Sequence, residues 1–163
     1  MEVAKLAWLA GIVDGEGCIT MFYHREKNGK GKYCPTVSIV NNDVTIINEA
    51  IKITRGLGAN FHVQERRQTN PKWNNGFALI TRNMDYIKVT LEAILPYLIG
   101  KRDKAGLLLE YVNKRITSGK HTPYDPLAED YLKAIKQMGR QSPECSTTKC
   151  QMPDVVNSHV VIG

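Results

Sequence analysis

Two carboxylates one residue apart, Asp14 and Glu16, stand where an apolar stretch gives way to glycine, in the run Leu9-Ala10-Gly11-Ile12-Val13-Asp14-Gly15-Glu16-Gly17. Carboxylates brought together repel one another until a cation binds, and hard oxygen ligands next to phosphate are what Mg²⁺ selects. Ions held that way activate a water and stabilise the leaving oxygen of a phosphodiester. One copy of the run occurs, and nothing in 60–163 repeats it. One copy gives one acidic helix end, so a pair of catalytic carboxylates requires a second chain. Two helices packed through alanine and glycine about a dyad bring their C-terminal ends together, and a two-fold protein implies a near-palindromic partner.

The elements that must position these groups follow from periodicity. Residues 3–14 read as a short helix, apolar nearly all round, with Leu6, Leu9 and Val13 at helical spacing and Ala7, Gly11 and Gly15 as a small-residue stripe. A helix with two buried sides needs two partners: the sheet of its own chain and the same helix of a second copy. After Gly17 the pattern alternates over Cys18–His24 and again over Tyr33–Val40, with a polar turn at Lys27–Gly31: a hairpin. Asp43 is placed to cap a helix through Ile46, Ile47, Ala50, Ile51 and Thr54, stopped by Gly56 and Gly58. A second hairpin pairs Asn60–Arg67 with Phe77–Thr81 around a loop carrying Pro71, Trp73, Asn74 and Asn75. Asp85–Leu98 reads as a helix with the stripe Ile87, Leu91, Ile94 and Leu98, followed by a basic helix, Lys101–Thr117. A breaker-rich link (Ser118–Pro126) leads to an amphipathic helix with Leu127, Tyr131, Ala134, Ile135 and Met138, and Gln141–Gly163 reads as a partly ordered tail.

The order α-ββ-α-ββ-α-α-α predicts an α+β fold: a four-stranded antiparallel sheet with every helix on one face and the other face open to a ligand. If Ile19, Met21, Val37, Ile39, Phe61, Val63, Phe77 and Leu79 face the helices, the outward set is Thr20, Phe22, His24, Thr36, Ser38, His62, Gln64, Arg66, Ala78 and Ile80. A two-stranded ribbon fits a DNA major groove, where Gln, Arg, His, Ser and Thr reach base edges and apolar groups meet thymine methyls. Lysines and arginines of the turns, Arg25, Lys27, Lys30, Lys32, Arg67 and Lys72, then hold phosphates. Trp73, in the same loop, joins this set.

Composition narrows the class. A chain of 163 residues, 42% hydrophobic and 23% charged, is one globular domain, neither disordered nor fibrous. No apolar run approaches the roughly 20 residues that span a bilayer, and the start lacks a basic signal region, so the expectation is an intracellular, soluble protein without a membrane partner. Four cysteines, Cys18, Cys34, Cys145 and Cys150, are too few and too uneven for a disulfide framework or a paired zinc site. Cys145 and Cys150 with His159 fall one ligand short of a zinc set, His121 and His159 read as exposed, and Cys18 and Cys34 as small apolar groups. The formal charge is +6, and it is concentrated: residues 21–72 hold nine Lys/Arg against four Asp/Glu, and 101–120 hold six against two. Two basic blocks, on a remainder that sums to −3, favour a polyanionic partner.

The nine-residue run resembles the motif of the LAGLIDADG homing endonucleases in its Asp-Gly-Glu-Gly form, and it ends a helix and opens a strand as that motif does. The resemblance covers roughly residues 3–117, with 118–140 as C-terminal helices; 1–140 is then the endonuclease domain and 141–163 a tail. It implies the αββαββ core, with a saddle-shaped sheet against DNA. It implies that Glu16 is the metal ligand, with the Gly15 carbonyl assisting, and that Asp14 is structural, near the dyad. Ala7, Ala10, Gly11 and Asp14 become the dimer interface. Pro96-Tyr97-Leu98-Ile99-Gly100-Lys101 resembles the segment before the family's last core helix, making Lys101 a candidate to polarise the attacking water or stabilise the pentavalent phosphate; Lys104 is a weaker one. Asn41 or Asn42 matches the polar residue that orders the water network, while Asp43 is more simply a cap.

The function so implied is a homodimeric, Mg²⁺-dependent, site-specific double-strand DNA endonuclease, cutting across the minor groove to leave short 3′ overhangs and encoded by a mobile intron, one in an rRNA gene among them. Mn²⁺ would substitute, and Ca²⁺ would support binding without cleavage. The rivals are an intron maturase acting on its own intron RNA, a non-cleaving sequence-specific binder on the same fold, and a basic structural protein.

Overall fold

A computed structural model describes residues 1–25, 31–66, 75–119 and 126–138. The elements are α1 (Val3–Glu16), β1 (Gly17–Arg25), β2 (Gly31–Asn41), α2 (Val44–Gly56), β3 (His62–Arg66), β4 (Gly76–Thr81), α3 (Met84–Ile94), a single 3₁₀ turn (Leu95–Tyr97), α4 (Arg102–Thr117) and α5 (Ala128–Met138). The expected α+β order is present. The strands form one antiparallel sheet in the order β1-β2-β4-β3, so the two hairpins meet through β2 and β4 at its centre. No helix among the described residues is long and apolar enough to cross a membrane.

Local chemistry sets the ends of the elements. Asp43 caps α2, its carboxylate accepting the Thr45 N–H at 2.7 Å. Gly58, at φ +82°, turns the chain out of that helix in a conformation that disfavours other residues. Asn83, unforeseen as a cap, accepts from the N–H groups of Asp85 and Tyr86 and starts α3 one residue earlier than expected. Continuous helix was expected through Leu98, but α3 stops at Ile94. Pro96 has no N–H to return to the preceding turn, and the chain tightens to 3₁₀ instead. The stripe survives this change, with Ile87, Leu91, Ile94 and Leu98 all buried.

The core lies between the helices and one sheet face. By register Ile19, Val37 and Thr81 line up across that face, as do Ile39, Leu79 and Val63 in the next row. Most of the expected inward set is buried; Val63, on edge strand β3, shares the face but is 40% exposed because the helical layer does not reach that far. The α5 stripe is offset from the expected one. Ala128, Leu132 and Ile135 are buried, whereas Leu127 and Met138 are exposed, since β1 and α4 pack on the neighbouring face of that helix.

Candidate functional site

The last turn of α1 is tied to the start of α4. Asp14 turns its carboxylate into its own chain: Oδ2 accepts the N–H groups of Ile99 (2.7 Å) and Gly100 (3.2 Å), and Oδ1 accepts that of Lys101 (2.8 Å). The tie is reciprocal. Lys101 Nζ donates to the Val13 carbonyl at 2.9 Å and also to that of Asp14. Each group complements a helix: the carboxylate meets the N-terminal end of α4, where N–H groups lack partners, and the ammonium meets carbonyls of the last turn of α1. Lys101 thereby spends two of its three N–H bonds on backbone, a role the sequence had not suggested.

This arrangement separates the two carboxylates. Asp14 is half-buried and fully engaged, whereas Glu16, the last residue of α1, is exposed. Gly17 is what lets a strand leave directly from that point. Its N–H closes on the Val13 carbonyl, and a Cβ there would lie 2.5 Å from the same oxygen and 2.7 Å from Val13 Cα. A Cβ built on Gly15 would meet nothing within 4 Å, and its carbonyl is the backbone oxygen next to Glu16. The donors are therefore one exposed carboxylate and backbone oxygen, hard ligands of the kind Mg²⁺ takes. Among the described residues of one chain, no three His, Cys, Asp or Glu side chains cluster to hold a metal.

Asn41 and Asn42 lie at the same end of the sheet, since Ile39, two residues before Asn41, pairs with Gly17. Asn41 Oδ1 is taken by the Asp43 N–H at 2.8 Å in a local turn, which leaves its amide N–H groups for other partners. Asn42 Oδ1 lies against Gly76, where a Cβ would come within 2.5 Å of it. Lys104 is half-buried on α4.

On the outer sheet face the register places Thr20 opposite Thr36, Phe22 opposite Cys34, His24 opposite Lys32, Ser38 between Cys18 and Ile80, and Gln64 opposite Ala78. The expected outward set therefore shares one face. Phe22, His24, Lys32, His62, Gln64 and Arg66 are exposed, Thr20, Ser38 and Ile80 half-buried, and the short side chains of Thr36 and Ala78 form a buried floor. Lys32, expected in the turn, belongs to this face. Arg25, at the end of β1, alternates to the other side. Arg67, Lys72, Trp73, Lys27 and Lys30, and the tail with Cys145, Cys150 and His159, lie outside the described residues, as does His121.

Three residues of this face were missed. Arg82 lines two depressions at once: one of ≈ 520 Å³ with Phe22, Tyr23, His24, Lys32 and Cys34, and one of ≈ 310 Å³ with His62, Gln64 and Ile80. Continuing the alternation two residues past Ile80 would have found it. Cys18 and Cys34, read as small apolar fillers, also lie here, Cys18 exposed.

On α1, Ala7 and Gly11 are exposed, and a Cβ on Gly11 or Gly15 would meet nothing within 4 Å. Ala10 was expected beside them in the interface but is 0% exposed, packed with Leu9 and Val13 in the core. It sits about 100° round the helix from Gly11 and faces the sheet. The carboxylate of Asp14 is engaged within its own chain.

No protein-family model matches the chain, and no curated protein matches it either. Solved structures do. The homing endonuclease I-CvuI, in complex with its target in the presence of Ca²⁺, aligns at 22% identity and a TM-score of 0.51 over 85% of this chain and 97% of that one. The archaeal intron-encoded homing endonuclease I-Vdi141I, complexed with DNA, aligns at 14% and 0.58 over 85% and 99%. The LAGLIDADG homing endonuclease I-GzeII, in complex with its DNA target, aligns at 19% and 0.57 over 82% of this chain but 43% of that one. At these identities the likeness is one of fold. The chain has the LAGLIDADG homing endonuclease fold.

Proposed function

We propose that the protein is a site-specific, double-strand DNA endonuclease that works as a homodimer with Mg²⁺ and is encoded by a mobile intron. The observation that carries this reading is the placement of one exposed carboxylate, Glu16, at a rigidly anchored helix end beside a sheet face dressed with His, Gln, Arg and Lys. The structures sharing the fold include endonucleases bound to DNA targets. The chain matches nearly the whole of I-CvuI and I-Vdi141I but less than half of I-GzeII. The exposed stripe of Ala7 and Gly11, with open space at Gly11 and Gly15, suits close approach of a second α1.

In such a dimer Glu16 and the Gly15 carbonyl of each copy would hold Mg²⁺, which supplies the positive charge that acidifies water and offsets charge on the departing 3′ oxygen. The chain's own residues do the rest. Asp14 and Lys101 fix where Glu16 stands; the remaining N–H of Lys101 would meet negative charge on phosphate; and the Asn41 amide would orient water. On the outer face His24, Ser38, His62, Gln64, Arg66 and Thr20 read base edges, Phe22 and Ile80 meet apolar groups and Lys32 holds phosphate, as do Arg25 at the end of the ribbon and the basic loop residues.

The test is to incubate the purified protein with a randomised duplex library, with Mg²⁺ and separately with Ca²⁺, and to sequence what is cut and what is bound. Cleavage at one long near-palindrome with Mg²⁺, and binding alone with Ca²⁺, is the expected result. Specific binding with no cleavage under any metal would shift the assignment to a regulator or an intron maturase.

A further inference from the structure

Half of the β1–β2 hairpin has no sheet beside it. β4 pairs with β2 over Val37–Asn41 only, so Thr20–Arg25 and Gly31–Thr36 form a bare two-stranded ribbon. Its outer side carries Phe22, His24, Lys32 and Cys34. A two-stranded ribbon is marginal in water by itself and needs something packed against it.

What lies behind it is α5, which packs on β1 and on α4. On the α4 side Tyr131 is locked. Its hydroxyl donates to a Glu110 carboxylate oxygen at 2.5 Å and accepts from Lys114 Nζ at 2.7 Å, and the same ammonium lies 5.1 Å from the ring centre. Lys114 and Glu110 are 3.2 Å apart, and the Tyr111 ring sits 5.6 Å from that of Tyr131. The Tyr131 hydroxyl, and then Lys114, hold the Glu110 carboxyl below its usual range, while burial and then Glu110 push the Tyr131 phenol up and keep it a donor.

On the ribbon side Tyr23 and Tyr33 are cross-strand partners on the helix-facing surface, ring centres 5.0 Å apart. Tyr23 folds over Gly31, where a Cβ would lie 1.8 Å from its hydroxyl. Tyr33 is half-buried; burial raises its phenol first, and the charges of Glu129, Tyr23 and Asp130 add to that while Lys133 opposes it. Glu129, Asp130 and Lys133 belong to the first turns of α5. Glu129 and Lys133 are themselves paired at 3.0 Å.

We infer that α5 is a strut that fixes the angle of the β1–β2 ribbon, with Tyr131 and Tyr33 as positioning residues, and so sets the selectivity of His24 for the outer base pairs of each half-site. The part concerning DNA rests on the function proposed above. The strut itself does not.

Full-length Tyr131→Phe and Leu132→Ala proteins test this, with Lys136→Ala on the exposed side of α5 as control. Hydrogen exchange of the amides in 20–25 and 31–36 should speed about 5-fold in Tyr131→Phe and more in Leu132→Ala, with β3–β4 unchanged and the control silent. Selection on randomised DNA should show preference at the outer positions falling about 3–10-fold, with inner positions and turnover at saturating DNA retained. Unchanged exchange in the ribbon overturns the strut. So does an equal acceleration in every strand, which would make α5 a contributor to general stability. A loosened ribbon in a protein whose unsubstituted form selects no DNA overturns the functional reading and upholds the strut.

Discussion

At the end of α1 the polar geometry is set by backbone: three N–H groups converge on Asp14, two carbonyls on Lys101, and Gly17 closes against Val13. Along the outer sheet face the reverse holds, with exposed side chains standing on strands that pair with a neighbour and, among the described residues, making no such ties of their own to backbone. A group held by backbone has one position, as catalysis at a fixed phosphate demands. A group held only at its Cα can be exchanged for another without disturbing the sheet, as recognition of a particular DNA sequence demands. Substitutions should therefore affect rate and stability at the helix end, and the sequence of the site on the outer face.

The largest effect expected is on rate. Glu16→Gln keeps the shape of the exposed side chain but removes its charge, and cleavage should fall by about 10³-fold or more while specific binding in Ca²⁺ stays nearly intact. Measuring both on one labelled duplex decides the matter. Loss of binding along with cleavage would make Glu16 part of the architecture and erase the contrast between the two regions.

Next comes stability. Asp14→Ala leaves the N–H groups of Ile99, Gly100 and Lys101 without their charged acceptor and should cost about 2–4 kcal/mol in urea unfolding. Lys101→Met should slow cleavage with little change in affinity, and the ratio of its effects on rate and on unfolding separates the proposed contact with phosphate from the two bonds given to α1. An unchanged rate with lowered stability would make Lys101 purely a clamp for the helix end.

The contrast also explains what could be read from sequence. Strand faces were legible because alternation has a period of two, so Phe22, His24, His62 and Gln64 fell on one side without knowledge of the neighbours. Arg82 was not, because the pattern was ended at Thr81. The apolar stripe of α3 was legible through Leu98, though not the 3₁₀ turn that Pro96 imposes within it. At the helix end the exposed carboxylate could be named, but its support could not: Asp14 and Lys101 are 87 residues apart, and only the folded chain brings them together. Ala10 fell on the wrong side because α1 is apolar nearly all round, which leaves no polar face to fix its rotation.

On the outer face, Arg66→Ala should relax preference at one base position in each half-site by about 1–3 kcal/mol, leaving the rate at the preferred site and the unfolding midpoint where they were. Selection on a randomised half-site measures this position by position. A uniform weakening over all sequences, with a shallower salt dependence, would reassign Arg66 to phosphate. Arg82→Ala in the same assay should touch the positions between those read by the two hairpins, since its side chain lines both depressions.

The smallest effect is the most diagnostic, because its sign depends on assembly. Gly11 lies in the interior of α1, exposed, with nothing within 4 Å of a Cβ built on it. In a lone chain Gly11→Ala should stabilise by about 0.5–1 kcal/mol, since alanine loses less backbone entropy in a helix. In a dimer whose helices touch at Gly11, the same methyl separates two backbones and weakens association. Thermal unfolding at concentrations below dimer dissociation should therefore shift upward, while sedimentation at higher concentration should show a larger dissociation constant. Stabilisation with unchanged association would move the interface off this stripe, and with it the way two copies of Glu16 are brought together.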